Sequence, residues 1–178
     1  MGFSRARKKI TEEAALYEYA VGALGRRMRS VAELKRLLRQ RVDEGAGGEA
    51  LVEAVVTRLK EQKYLNDAQY ASAYSSYRRD NEKFGRLRVI SDLKGRGVHG
   101  EVIEKAVSGA YSEVNDEQLA RAFLRRKRLQ KPADQKQAAR IFRTLARAGF
   151  TTKVIVGILK KWEVDEEVLT ALESEPAP

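Results

Sequence analysis

The sequence predicts an all-α fold built as a helical array, and three observations predict it. The first is a recurring apolar stripe. Leu51, Val52, Val55, Val56 and Leu59 share one spacing with Val102, Ile103, Ala106, Val107 and Ala110, and with Val154, Ile155, Ile158, Leu159 and Trp162. Each set falls at i, i+1, i+4, i+5 and i+8, which is one helical face about 100° wide. The stripes begin 51 and 52 residues apart, and a period near fifty marks a helical repeat. The second observation is a leader helix before each stripe. Leu93 with Gly97-Val98 aligns with Leu145 and Gly149-Phe150, and Leu38 and Val42 hold those places in the first copy, where the turn is longer. The third is a shortage of strand signals: the chain has three prolines and few alternating β-branched runs.

Taken in order, residues 1–10 form a basic tail. Glu12 and Glu13 suit the first turn of a helix, where the macrodipole favours anions. That helix runs to about Met28 and buries Leu16, Tyr19, Ala20, Ala23 and Leu24. Ser30 and Glu33 have the spacing of a capping box, and the next helix buries Val31, Leu34, Leu37 and Leu38. Residues 45–48 read as a loop, and the helix over 51–64 completes a first repeat, 11–64. Tyr64-Leu65-Asn66-Asp67 is a junction, with Asp67 as the expected N-cap of the following helix. Asp116, after Asn115, holds the matching place in the third repeat.

The helix after Asp67 carries Tyr70, Ala71, Tyr74 and Tyr77, matched later by Leu119, Ala120 and Phe123. Tyrosines at this spacing read as core in preference to base-stacking platforms. Gly85 breaks the charged run 78–84. Leu87, Ile90 and Leu93 then share a face, and Gly97 ends that helix in the left-handed conformation. The second repeat spans 65–112 and the third 113–163, where Pro132 restarts the helix. Residues 164–178 read as an acidic, frayed C-terminal tail.

The net charge of +10 favours polyanions or an acidic protein partner. The chain has no cysteine, which excludes thiolate metal sites and cysteine nucleophiles and argues against a disulfide-stapled secreted protein. His99 is the single histidine, so no His-based triad or repeated-His metal site exists, and its glycine turn reads as exposed. The glycines around Arg96 follow no strand, unlike a phosphate-cradling loop. No metal, no cofactor and no catalytic residue are expected, and the chain reads as a non-enzyme. No apolar run approaches a membrane span, so the expected location is the cytoplasm.

The candidate binding residues are cations. Two helices around a glycine turn suggest DNA readout, but the second helix of the central pair exposes Glu101 and Glu104, which phosphates repel. The cations lie instead on the leader helices, at Arg86, Arg88, Lys94, Arg96, Arg140, Arg143 and Arg147. The third repeat adds Arg121, Arg125, Arg126, Lys127 and Arg128; Asp134 is the one acid between residues 121 and 147. This pattern favours contact with a phosphate backbone or an acidic surface over sequence readout.

Several stretches together resemble the RecX regulators of the bacterial recombinase RecA. They are Arg27-Met28-Arg29-Ser30 followed by Glu33-Leu34; Tyr64-Leu65-Asn66-Asp67 followed by Tyr70-Ala71; and Gly85, Leu93, Gly97 and Val98. Phe84 and Leu87 around Gly85 depart from the family's less apolar, proline-containing stretch. The resemblance implies three tandem three-helix repeats in a curved, elongated array. It implies binding to the RecA filament on single-stranded DNA, with lowered ATPase and strand exchange, within recombination, DNA repair and the SOS response. The chain is expected to be a monomer. Two other readings stand beside it: a basic repeat protein that binds single- or double-stranded DNA without RecA, and a helical scaffold for another acidic protein.

Overall fold

A computed structural model describes residues 9–174. Of the expected basic tail only Lys9 and Ile10 lie inside that range, and the last four residues of the expected acidic tail lie outside it. The described residues form ten helices and no strand, so the fold is all-α as the periodicity predicts. They are α1 (Glu13–Arg26), α2 (Val31–Arg39), α3 (Ala46–Glu61), α4 (Asp67–Asp80), α5 (Arg86–Gly95), α6 (Gly100–Ala110), α7 (Asp116–Arg126), α8 (Gln135–Arg147), α9 (Thr152–Lys161) and α10 (Glu166–Ser174). The helices divide into two compact units. Unit 1 comprises residues up to Ala71 with Lys94–Val102, and unit 2 comprises Ser72–Leu93 with Ile103 onward. The divisions fall within α4, α5 and α6.

In unit 1, α1, α2 and α3 close over Leu16, Ala20, Ala23, Leu34, Leu38, Val52, Val55, Val56 and Leu59, with Leu65 completing the cluster. The start of α2 is closed by a reciprocal pair of hydrogen bonds. The Ser30 side chain accepts from the Glu33 N–H, and the Glu33 carboxylate accepts from the Ser30 N–H, which is the capping box that the spacing predicts. Ser30 is fully buried, and its hydroxyl also donates to the Arg96 carbonyl at 2.6 Å. Ser30→Ala therefore removes both a cap and a buried acceptor's partner. The expected cost is about 2 kcal/mol, read as a lower urea midpoint at unchanged m-value.

Asp67 does not cap its own helix. Asn66 does, its side-chain oxygen accepting from the N–H groups of Ala68 and Gln69 at 2.9 and 3.1 Å. Asp67 is left to accept from the Val31 N–H at 2.8 Å, satisfying an orphan donor at the start of α2. In unit 2, Asn115 likewise caps α7 through the Gln118 N–H. Asp116 there forms an ion pair with Arg86, at the start of α5, at 3.6 Å. The loop expected at 45–48 is shorter than predicted, since α3 starts at Ala46.

Unit 2 is centred on Ala120, Phe123, Leu124, Ile141, Phe142, Leu145, Ile155, Ile158 and Leu159. Phe123 lies 6.0 Å from Phe84 and 6.1 Å from Phe150, centroid to centroid. Here two backbones meet directly. The Gly85 N–H donates to the Ala148 carbonyl at 2.8 Å, and the Leu87 N–H to the Gly149 carbonyl at 3.2 Å. Gly149 has φ +89°, and a Cβ on it would overlap the Arg88 backbone nitrogen and side chain. A Cβ on Gly85 would overlap the Gly149 carbonyl. Only glycine permits this approach.

One contact recurs in three places. The carbonyl just before a helix–helix turn accepts from the segment laid across it. Ala148 accepts from Gly85, Arg96 accepts from Ser30, and Arg41 accepts from the Ile10 N–H at 2.7 Å. Lys9 adds a bond from its ammonium to the Val42 carbonyl at 2.9 Å.

Three further expectations are corrected. Leu87 is 49% exposed, because α5 buries Val89 and Leu93 while its first turn is held by Gly149. Tyr77 is 56% exposed, whereas Tyr70 is buried. Residues 166–174 are helical, not frayed: Leu169 and Leu172, one turn apart, are buried in the unit 2 core.

Candidate polyanion-binding surface

Of the twelve candidate cations, Lys94 and Arg96 fall in unit 1 and the others in unit 2. Helix α8 provides the clearest arrangement. Its apolar face, Ala138, Ile141, Phe142 and Leu145, is buried. Lys136, Arg140, Arg143 and Arg147 are exposed and stand at i, i+4, i+7 and i+11. At 100° per residue they lie within about 60° of one another and extend about 16 Å along the axis. Asp134 caps this helix through the Gln137 N–H at 2.7 Å, so the acid at its start serves the backbone. Lys136 was not among the predicted site residues, although the i+4 spacing to Arg140 was the available signal.

The other cations divide by their partners. Arg125, Lys127 and Arg128 are exposed and form no ion pair among the described residues; the same holds for Lys136, Arg140 and Arg147. Arg128 sits at φ +54°, just past the end of α7. Arg121 pairs with Glu117 at 2.9 Å and Arg126 with Glu82 at 2.9 Å. Arg86 pairs with Asp116, and Arg96 pairs with Glu33 at 2.5 Å.

Arg88 belongs to a structural hub. Asp92 accepts from the Tyr74 hydroxyl at 2.9 Å and from Arg78 at 2.8 Å, and pairs with Arg88 at 3.0 Å. Burial pushes this carboxyl up, but the hydrogen bonds from Arg78 and Tyr74 and the charges of Arg88 and Arg78 outweigh it. Asp92 therefore titrates below the usual aspartate range. A carboxyl lowered by folding stabilises the protein above its unfolded pKa and loses that contribution as the pH falls through the folded value. Asp92→Asn is thus expected to destabilise at pH 7, with the difference from the parent shrinking below about pH 4; paired urea titrations at several pH values check this.

The same hub occupies two aromatic rings. Arg78 lies 4.5 Å and Arg88 5.8 Å from the Phe84 ring centroid, so Phe84 is already faced by cations, and Tyr74 is held by Asp92. His99 is exposed. Among the described residues no group of His, Cys, Asp and Glu side chains is placed to hold a metal ion, and no helix is long and apolar enough to cross a membrane. The chemistry on offer is charge and guanidinium hydrogen bonding to an anionic surface.

Comparison with known proteins agrees with this architecture. A family model described as RecX, second three-helix domain, matches residues 66–107. Regulatory protein RecX of Myxococcus xanthus is 36% identical over 143 residues, covering 73% of this chain and 74% of that protein. Regulatory protein RecX of Pseudomonas putida is 33% identical over 153 residues, covering 85% and 94%. The crystal structure of RecX from Lactobacillus salivarius superposes with a TM-score of 0.65 at 17% identity, over 85% of this chain and 96% of that one. A second RecX crystal structure gives 0.69 at 20% identity, over 84% and 73%. Both structures share the fold, and the two sequence relatives match over most of their length with about a third of the aligned residues identical: the chain belongs to the RecX family of regulatory proteins.

Proposed function

We propose that this protein is a non-enzymatic regulator of RecA recombinase that binds the RecA–single-stranded DNA filament and lowers its ATPase and strand exchange. The observation that carries the reading is the exposed basic stripe of α8 in a chain of this family. Four cations in one line, on a helix whose opposite face is buried, suit a polymer with regularly spaced negative charge. Family membership supplies the regulatory role, and the stripe supplies a surface for it. No step of chemistry is required of the chain, since occupancy alone alters a filament's growth or turnover.

The test is RecA ATPase on single-stranded DNA, titrated with the full chain at moderate salt. Inhibition at substoichiometric ratios is the expected result. Unchanged ATPase in the presence of folded, helical protein rejects the reading.

A further inference from the structure

A second basic site lies in unit 1, away from α8 in the sequence and built mostly from residues outside the predicted set. It is an open concavity of about 340 Å³ between the α1–α2 link, one face of α2 and the end of α5. Its lining includes Arg27, Arg29, Glu33, Arg36, Leu37 and Arg96. Four guanidinium groups therefore face a single carboxylate. That carboxylate is already engaged at both oxygens, one by Arg96 at 2.5 Å and the other by the Ser30 N–H at 3.1 Å. Arg27 and Arg36 are exposed and form no ion pair among the described residues. Arg36 is oriented by a bond from its Nε to the Ala32 carbonyl at 3.3 Å. Arg29 is half-buried, with its Nε lacking an acceptor. The pocket is rich in donors and short of acceptors.

We infer that this pocket binds a phosphodiester group of single-stranded nucleic acid, with Arg27, Arg36 and Arg96 as the phosphate contacts. Guanidinium forks match phosphate oxygens two at a time, and several converging on one concavity fix a phosphate more firmly than scattered surface cations. The neighbouring surface is apolar as well as cationic. Met28, between Arg27 and Arg29, is 53% exposed, and Leu37 lines the pocket. An unstacked nucleotide presents a sugar and a base face to such surface, which a bare carboxylate or an inorganic ion does not.

The inference does not rest on the recombinase reading, and its test contains no recombinase. Binding of fluorescein-labelled oligo(dT) to the full chain is followed by anisotropy across a salt series. Arg27→Ala with Arg36→Ala is expected to weaken binding about tenfold at low salt. It should also flatten the slope of log K against log salt by about 1.4, two contacts at about 0.7 each for a single strand. Glu33→Gln acts in the opposite direction. Glutamine still accepts from the Ser30 N–H, so the capping box survives, while the competing charge beside Arg96 is gone; binding should tighten about threefold. Circular dichroism melts establish that the variants remain folded. Unchanged affinity and slope in the double variant overturn the site. Displacement by poly-glutamate, or by inorganic phosphate at matched ionic strength, as efficient as by unlabelled oligo(dT) overturns the nucleic-acid assignment.

Discussion

Replacing Gly149 by alanine is expected to lower stability by about 4 kcal/mol. An L-residue at φ +89° costs about 1–2 kcal/mol from the backbone alone. The added Cβ has no room, because the Arg88 backbone nitrogen lies where it would stand. Relieving that overlap separates α5 from the turn after α8 and breaks the Gly85–Ala148 and Leu87–Gly149 bonds, at about 1 kcal/mol each. Guanidinium unfolding followed by circular dichroism measures the effect. Gly157, inside α9, is the matched control: nothing lies within 4 Å of a Cβ placed there. Gly157→Ala should stabilise by about 0.5–1 kcal/mol through helix propensity. Equal effects from the two substitutions would show that the close approach does not matter to stability.

Reversing the charge of Arg125, Arg140 and Arg147 together, each to glutamate, should raise the half-inhibitory concentration against RecA ATPase at least about tenfold, equivalent to 1.4 kcal/mol. These three are chosen because they are exposed and have no ion-pair partner among the described residues. The fold should tolerate them, since surface changes of this kind usually move stability by about 0.5 kcal/mol or less each. Arg126→Glu is a different experiment. It would place a carboxylate against Glu82, now the partner of Arg126 at 2.9 Å, and would test folding more than function. If the triple variant inhibits as well as the parent, the basic residues of α7 and α8 are solvated surface and the contact lies elsewhere.

What was legible in the sequence was local. The Ser30–Glu33 capping box spans three residues, so its pattern declares itself. The apolar stripes of α3 and α9 are buried almost as spaced. The local pattern points to Asp67 as a cap, because aspartate before an apolar run usually is one. Its partner is Val31, 36 residues away, and no local pattern reports that. On α5 the periodicity points to a Leu87-Ile90-Leu93 face, but the buried residues are Val89 and Leu93. The contact with Gly149, 62 positions away from Leu87, holds the first turn and is not written in the local spacing. The acids of α10 concealed Leu169 and Leu172, whose burial depends on a surface supplied by α8 and α9. For the same reason the stripe on α8 was largely visible, whereas the pocket around Glu33 was not: its arginines meet only after residues about sixty positions apart have folded together.

The bond from Ile10 to Arg41 makes the short segment before α1 part of the first helix–helix turn. Lys9 and Ile10 occupy at that turn the position that Ser30 and Gly85 occupy at the other two. Where two of the turns take their donor from the entry to a helix, the first takes it from the chain just ahead of α1. Three carbonyls in like positions are thus satisfied by segments of different local sequence, and losing any one of those donors leaves its carbonyl to find water.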